Sequence, residues 1–443
     1  MNRILSGKFY IKTMGCQMNV YDSDYLAQTL MAEGMSPVES AWEADVILLN
    51  TCTVRAKPEH KAVTFIGRVL QIKKRKPNVI FGVLGCLAQQ EGRQILERFP
   101  GVDFVAGPRQ IQEVTDILAR VATGQRGIVA TELKAPPPET RVLNGYFKGK
   151  VTAFLTIMQG CNNFCSYCIV PYVRGREVSR SPFDILKEAR NLVDQGVKEI
   201  TLLGQNVNSY RWTGNGSYWD FPSLLREVSR IPGLKRLRFT TSHPKDLSPE
   251  LISCFGQLDN LCPHLHLPFQ AGSNRILKMM NRKYTREDYL RLVDRLRQIR
   301  PDIALSSDVI VGFPGETRQD FEMTLDLIKA VEFDSLFSFK YSDRKGTLAA
   351  RFEEKVPEEE KSERLYLLQE IQRQITLKKN QALEGKTVEI LVEGPSAKGD
   401  KLFGRTPTNK IVNFISDVNL LGKIVNVKVK KAYQNSLLGE LLL

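Results

Sequence analysis

Residues 152–168 read TAFLTIMQGCNNFCSYC, an apolar run of strand length that ends in three cysteines, Cys161, Cys165 and Cys168. A strand delivers the residues that follow it to one edge of its sheet, so the C-x3-C-x2-C spacing gathers three thiols in one loop. Thiols this close serve a single metal centre. A structural zinc needs four protein ligands, and no fourth Cys or His stands nearby, the next histidine being His243. A cubane of four irons held by three cysteines keeps one iron open. That iron can chelate the amino and carboxylate groups of S-adenosylmethionine. Electron transfer into the sulfonium would release a 5′-deoxyadenosyl radical, chemistry that the cofactor performs rather than the side chains. The bland alternative is three buried cysteines behaving as small apolar residues.

Working outward, residues 151 to about 350 alternate strand-like and helix-like stretches. The strand candidates are TAFLTIMQGC, EITLLGQNV, LKRLRFTTS, HLHLPFQ, IALSSDVIVGF and SLFSFKYS. Helix-compatible segments lie between them at 183–195, 221–230, 274–280, 286–297 and 319–331. Such alternation predicts a complete or partial β/α barrel. Upstream, FYIKTMGC, DVILLNTC, VIFGVLGC and VDFVAG alternate with polar segments, which predicts an open, mainly parallel α/β sheet over 8–125. The stretch 131–150, TELKAPPPETRVLNGYFKGK, has three consecutive prolines and reads as a linker. A charged helix is expected from Pro357 to Leu383, stopped by Gly385. In the last 60 residues Val425, Val427 and Val429 share one face while Asn426, Lys428 and Lys430 share the other. That pattern predicts a small antiparallel barrel of the OB-like kind. The expected domains are therefore 8–125, a linker at 126–146, the β/α barrel at 147–377 and the small barrel at 380–443.

Cys16, Cys52 and Cys86 each close a strand candidate of the first domain. The carboxyl ends of parallel strands share one edge, so three cysteines repeated at that point converge in space. Three ligands again leave an open iron, one that could hold an exogenous sulfur. Cys254 and Cys262 have no such partners and read as buried structural residues. His264 and His266 alternate on one strand and read as barrel packing.

Of the 443 residues, 63 are Lys or Arg and 49 Asp or Glu, a net charge of +14. A surplus of this size favours a polyanionic partner such as nucleic acid. Residues 57–76 hold seven cations against one acid, Glu59, and Lys73, Lys74 and Arg75 are candidate phosphate contacts. Arg174, Arg176 and Arg180, just past the cysteine loop, are candidates to grip RNA near the reacting base. Lys428, Lys430 and Lys431 are a second candidate contact. No apolar run approaches the roughly 18 residues of a bilayer span, and the N-terminus lacks the apolar core of a secretory signal. The expected setting is the reducing cytoplasm, away from any membrane.

Several long words then occur in order: GCQMNVYDSD, ADVILLNTC, GVLGCLAQQEG, MQGCNNFCSYCIVPYVRGREVSR, VKEITLLGQNVNSY, TTSHPKD, HLHLPFQAGS and DVIVGFPGET. From about residue 8 to its end the chain resembles the radical-SAM methylthiotransferases, and its final barrel resembles their RNA-binding TRAM domain. GCQMN at 15–19 and QNVNSY at 205–210 resemble the branch acting on isopentenylated adenosine. Ala271 departs from the serine usual at that position. The resemblance implies two 4Fe–4S clusters, one on each cysteine triad, and two uses of S-adenosylmethionine. One molecule would methylate a sulfur held at the N-terminal cluster. The other would generate the radical that removes hydrogen from carbon 2 of the adenine at position 37 of tRNA, beside the anticodon. An external electron donor and sulfur source follow, and a monomer is expected.

Tyr167 is the aromatic that related barrels place near the cofactor adenine. Gly204, Gln205 and Asn206 would lie near its methionine end. Ser242 and Gln270 also end strands and are candidate cofactor contacts. No side-chain acid or base is assigned. The rival readings are a methylthiotransferase for threonylcarbamoyladenosine in tRNA or for a ribosomal-protein aspartate, and a non-catalytic RNA-binding metalloprotein.

Overall fold

Val46–Thr51 and Ile80–Gly85, nearly unbroken apolar runs, lie at the centre of a six-stranded parallel sheet. Burial on both faces requires strands of this composition. The computed structural model describes residues 7–53, 56–133, 145–396, 399 and 401–442, without the side chains of 56–60. The sheet runs in the order Ser36–Pro37, Lys8–Thr13, Val46–Thr51, Ile80–Gly85, Phe104–Ala106, Ile128–Ala130. Ile128–Ala130 falls inside the stretch read as linker and pairs with Phe104–Ala106. Residues 134–144 of that linker lie outside the described residues. Helices cover both faces. Val114–Ala122, for example, buries Val114, Ile117, Leu118 and Val121, one stripe at helical spacing.

The six expected strands of the second domain are present: Thr152–Thr156, Glu199–Leu203, Arg236–Thr240, His264–His266, Ala304–Val311 and Ser335–Lys340. They form two three-stranded parallel sheets joined by a bridge at Leu237 and Leu261, a partial barrel. Helix starts follow local chemistry. Thr285 accepts from the Asp288 amide at 3.1 Å while Asp288 accepts from the Thr285 amide at 2.8 Å, a capping box for Arg286–Ile299. The unforeseen elements include a hairpin and a helix. The hairpin is Arg211–Gly214 with Ser217–Asp220, in which Trp212 faces Trp219. The helix is Pro249–Gln257, capped by Ser248 and too short to show a clear period.

The C-terminal strands Thr387–Pro395, Leu402–Arg405, Ile411–Phe414, Ile424–Ala432 and Leu437–Leu441 close into a barrel around Ile390, Val412, Phe414, Val427 and Val429. It docks where barrel strands begin. Arg236 pairs with Glu389 at 2.9 Å, and Arg238 donates to the carbonyls of Thr406 and Pro407. Among the described residues no helix is long and apolar enough to cross a membrane.

The helix Gln17–Ala32 joins the first two domains. Tyr25, Leu26 and Leu30 belong to the core of the N-terminal sheet, while Met18 and Tyr21 belong to the core of the β/α barrel.

Candidate active site

Cys16 caps the helix Gln17–Ala32, Cys52 follows the strand Val46–Thr51, and Cys86 opens the helix after Ile80–Gly85. These strands are neighbours in register, with Thr13 opposite Asn50 and Thr51 opposite Gly85, so the three cysteines meet at one edge. Gly15 makes the approach possible. Its φ is +153°, and a Cβ there would stand 2.6 Å from Cys52 Cβ and 2.5 Å from Asn19 Oδ1. Asn19 is held by Asn50, which accepts from Asn19 Nδ2 at 2.9 Å. The Cys16 thiol is held down at about 5 by a hydrogen bond with Cys52, the charge of Arg174 and the amides of Asn19 and Met18. Burial pushes the Cys86 thiol up, against the same arginine.

The central triad occupies the loop that follows Met158–Gln159. Gly160, at φ +81°, lets the stem close: a Cβ there would stand 2.1 Å from the Arg176 carbonyl. The Cys161 amide donates to the Gly175 carbonyl across that stem at 3.2 Å. Arg282, buried, donates from Nη1 to Cys165 Sγ at 3.4 Å. Burial, with the neighbouring Cys165 and Cys161, pushes the Cys168 thiol up to about 12. A Gly-Cys pair recurs at 15–16, 85–86 and 160–161, a sequence signal for these positions that spacing alone did not reveal.

Among the described residues no three Cys, His, Asp or Glu side chains could hold one metal ion. A cubane does not ask that of them, because each thiolate takes a different iron. In donor chemistry both triads fit one: three thiols each, with a cation (Arg174 or Arg282) beside them to offset thiolate charge. The barrel face also fits a polar ligand. Gln159, Asn206 and Ser242, at the carboxyl ends of the first three strands, are buried with Gln159 Nε2 and Oε1, Asn206 Oδ1 and Ser242 Oγ unpaired. Buried polar atoms left unpaired are costly, so a partner is expected there. Asn206 Nδ2 donates to Asp246 at 2.7 Å, Gln205 accepts from the Gly160 amide at 2.5 Å, and a Cβ on Gly204 would stand 2.5 Å from Met158 Cγ. Gln270 is buried at φ +67°. Burial raises the Tyr167 phenol, which lies near Arg282 and Cys165.

The candidate RNA contacts separate by burial. Arg174 and Arg180 are not surface residues, contrary to expectation: their side chains are each 3% exposed and ion-paired, with Asp22 at 3.1 Å and Glu188 at 2.6 Å. Arginines so enclosed cannot reach a phosphate. Arg176 is exposed and stacks on the Phe164 ring at 5.4 Å, and Phe164 meets Tyr172 edge-on at 6.2 Å. Both aromatics are exposed on the cysteine-loop rim and were not picked out from sequence. Lys73 pairs with Asp103 at 2.5 Å, whereas Lys74, Arg75 and Lys428 are exposed; Lys430 is exposed and pairs with Glu440. The helix Ala56–Arg75, which carries Lys73, Lys74 and Arg75, also contributes Lys61 and Arg68, with Lys12 and Phe65, to a pocket of about 310 Å³ beside Met14. A larger cavity of about 520 Å³ lies far from either triad, between the last barrel strand and the C-terminal barrel. Cys254 and Cys262 are buried, and His264 and His266 both hydrogen-bond Ser306.

The sequence matches the Radical SAM superfamily over residues 155–328, the Uncharacterized protein family UPF0004 over 8–107 and the TRAM domain over 381–442. It is 53% identical to the tRNA-2-methylthio-N(6)-dimethylallyladenosine synthase of Syntrophus aciditrophicus (strain SB), covering 98% of this chain and 94% of that one. To the protein of that name from Geobacter metallireducens it is 48% identical over 98% of each chain. Among solved structures, the radical S-adenosylmethionine methyltransferase TsrM from Kitasatospora setae aligns over 75% of this chain and 72% of its own. The TM-score is 0.56 at 16% identity, a likeness of fold.

Proposed function

The chain belongs to the family of tRNA-2-methylthio-N(6)-dimethylallyladenosine synthases, and we propose on that premise that it places a methylthio group on carbon 2 of isopentenylated adenosine beside the tRNA anticodon. The observation that carries the reading furthest is the adjacency of the two thiol triads. Cys86 of one forms a buried cluster with Ile169, next to Cys168 of the other, and with Val173, one helical turn further on. When bound, two 4Fe–4S clusters and S-adenosylmethionine would supply the electron path, the radical, a holding site for the donated sulfur and the methyl group.

The chain's own residues hold and shield these groups. Cys161, Cys165 and Cys168 offer three thiolates and leave one corner of a cubane free for S-adenosylmethionine. Arg282 donates to one of those thiolates and offsets its charge. Gln159, Asn206 and Ser242 orient the bound cofactor through atoms that otherwise lack partners. Tyr167, Gly204, Gln205 and Gln270 complete that wall. Cys16, Cys52 and Cys86 hold the second cluster, with Arg174 countering its charge.

The target base leaves the anticodon stack to reach this site. Phe164 and Tyr172 offer it or its neighbour a stacking surface, and Arg176, Lys74, Arg75, Lys428 and Lys430 meet phosphates. The electron and the sulfur come from outside the chain. The protein acts as a monomer in the cytoplasm, where its eight free cysteines stay reduced.

Mass spectrometry of nucleosides from cells lacking the protein tests the substrate. Methylthiolated isopentenyladenosine should vanish while plain isopentenyladenosine accumulates. Unchanged levels would move the assignment to a sister substrate. Failure of the reduced, iron-loaded protein to release 5′-deoxyadenosine would instead favour a non-catalytic metalloprotein.

A further inference from the structure

Arg109 leaves the N-terminal sheet on the turn Pro108–Glu113 and is buried at 2% exposure against the other domain. Its Nε donates to the Arg174 carbonyl at 3.0 Å, and its Nη2 donates to the carbonyls of Arg176 at 2.8 Å and Gln159 at 3.5 Å. Those carbonyls are the two ends of the loop that carries Cys161, Cys165 and Cys168. Arg174 runs the opposite way. It rises from that loop, is 3% exposed, and donates from Nη2 to Asp22 Oδ2 at 3.1 Å on the helix capped by Cys16. Its charge also bears on Cys86 and Cys16. Each domain thus sends one guanidinium to a segment that carries the other's thiols.

We propose that Arg109 and Arg174 form a reciprocal clasp that sets the distance and orientation between the two triads, coupling radical formation to sulfur transfer. The proposal rests on the two-cluster reading above. Closing the cysteine loop does not require Arg109, because the stem already closes on itself through the Cys161 amide and the Gly175 carbonyl. What Arg109 adds is a tie between that stem and the other domain. A planar fork with five donors suits three carbonyls at fixed angles, which an ammonium on a flexible stem does not reproduce. Both arginines are positioning residues, since neither is placed on the substrate.

Arg109→Lys and Asp22→Asn test the clasp in the full-length, cluster-loaded protein. The first keeps the charge and removes the fork. The second leaves Arg174 in place without the carboxylate charge that anchors it, and it serves should the first fail to fold. A misplacement of about 1 Å between reacting groups costs on the order of 100-fold, so methylthiolated nucleoside formed per 5′-deoxyadenosine should fall by about that factor. Iron per chain should match the parent protein. The dipolar broadening between the two reduced clusters in the EPR spectrum should change. An unchanged product ratio and spectrum overturn the clasp. So does a proportional fall of product, 5′-deoxyadenosine and melting temperature, which would make these contacts simple domain packing. About four irons in the parent protein, where two cubanes need about eight, would overturn the two-cluster reading and the clasp with it.

Discussion

At Gly15 the absence of a side chain is itself the functional feature, because a single methyl would stand against Cys52 Cβ at 2.6 Å and Asn19 Oδ1 at 2.5 Å. Overpacking of this kind costs about 1–3 kcal/mol, relieved here by moving a cysteine. Gly15→Ala should therefore lose about half the iron, one cubane of two, while reductive release of 5′-deoxyadenosine persists. Full iron in that variant would contradict it. His243 gives a second residue-scale expectation. Burial, then the charges of Arg282 and Lys245, pushes its imidazole down to about 2, and Nδ1 accepts from the Lys245 amide at 3.2 Å. Because the folded pKa is depressed, the unfolded chain takes up the proton first. The stabilisation is complete above pH 6.5 and is lost as pH falls below it, by about 1.4 kcal/mol per pH unit for one proton. His264, pushed down to about 3 by burial and Arg238, adds in the same direction. Denaturant unfolding between pH 7 and pH 4 should show that slope, and His243→Asn should reduce it. An identical slope would place the acid sensitivity elsewhere.

Elements explain why two distant cysteine sets become two sites. Each set sits where strands end, and the short helix Val170–Val173 spans from one to the other. The alternation of runs made most strands of both domains legible in the sequence, though not Ser36–Pro37 and Ile128–Ala130, along with the edge to which the cysteines belong. Element ends were less legible. The helix Gln17–Ala32 starts inside GCQMNVYDSD, where Asn19, Asp22 and Ser23 are polar yet buried and break the apolar period. Those residues face the thiol site, and only packing reveals that polar side chains can fill an interior. The rim of the cysteine loop makes its own prediction. Phe164→Ala with Tyr172→Ala should weaken tRNA binding by about 1–3 kcal/mol per lost stack, with iron content unchanged. A binding titration that gives the parent affinity would remove this surface from the substrate site.

For the whole molecule, a charge of +14 implies binding that weakens steeply with salt. The pocket of Lys12, Lys61 and Arg68 opens beside Met14, two residues from Cys16, which makes it a candidate phosphate contact near the thiol edge. Replacing all three with Gln should reduce the slope of log affinity against log salt by about 2–3, at roughly 0.7–0.9 per phosphate. An unchanged slope would mean that the contacts lie elsewhere, for instance on Lys428 and Lys430.

The sequence alone determined the α/β class, the order of the three folded regions, the two cysteine triads and the family. Those rest on local periodicity and on side-chain chemistry at fixed spacing. Only the tertiary structure decided which cations are free. Arg174 and Arg180 stand in the same basic stretch as Arg176, yet Asp22, 152 residues before Arg174, and Glu188, eight residues past Arg180, draw two of them inside and leave the third exposed. Charge is a property of the residue, whereas its availability depends on which carboxylate the fold brings beside it.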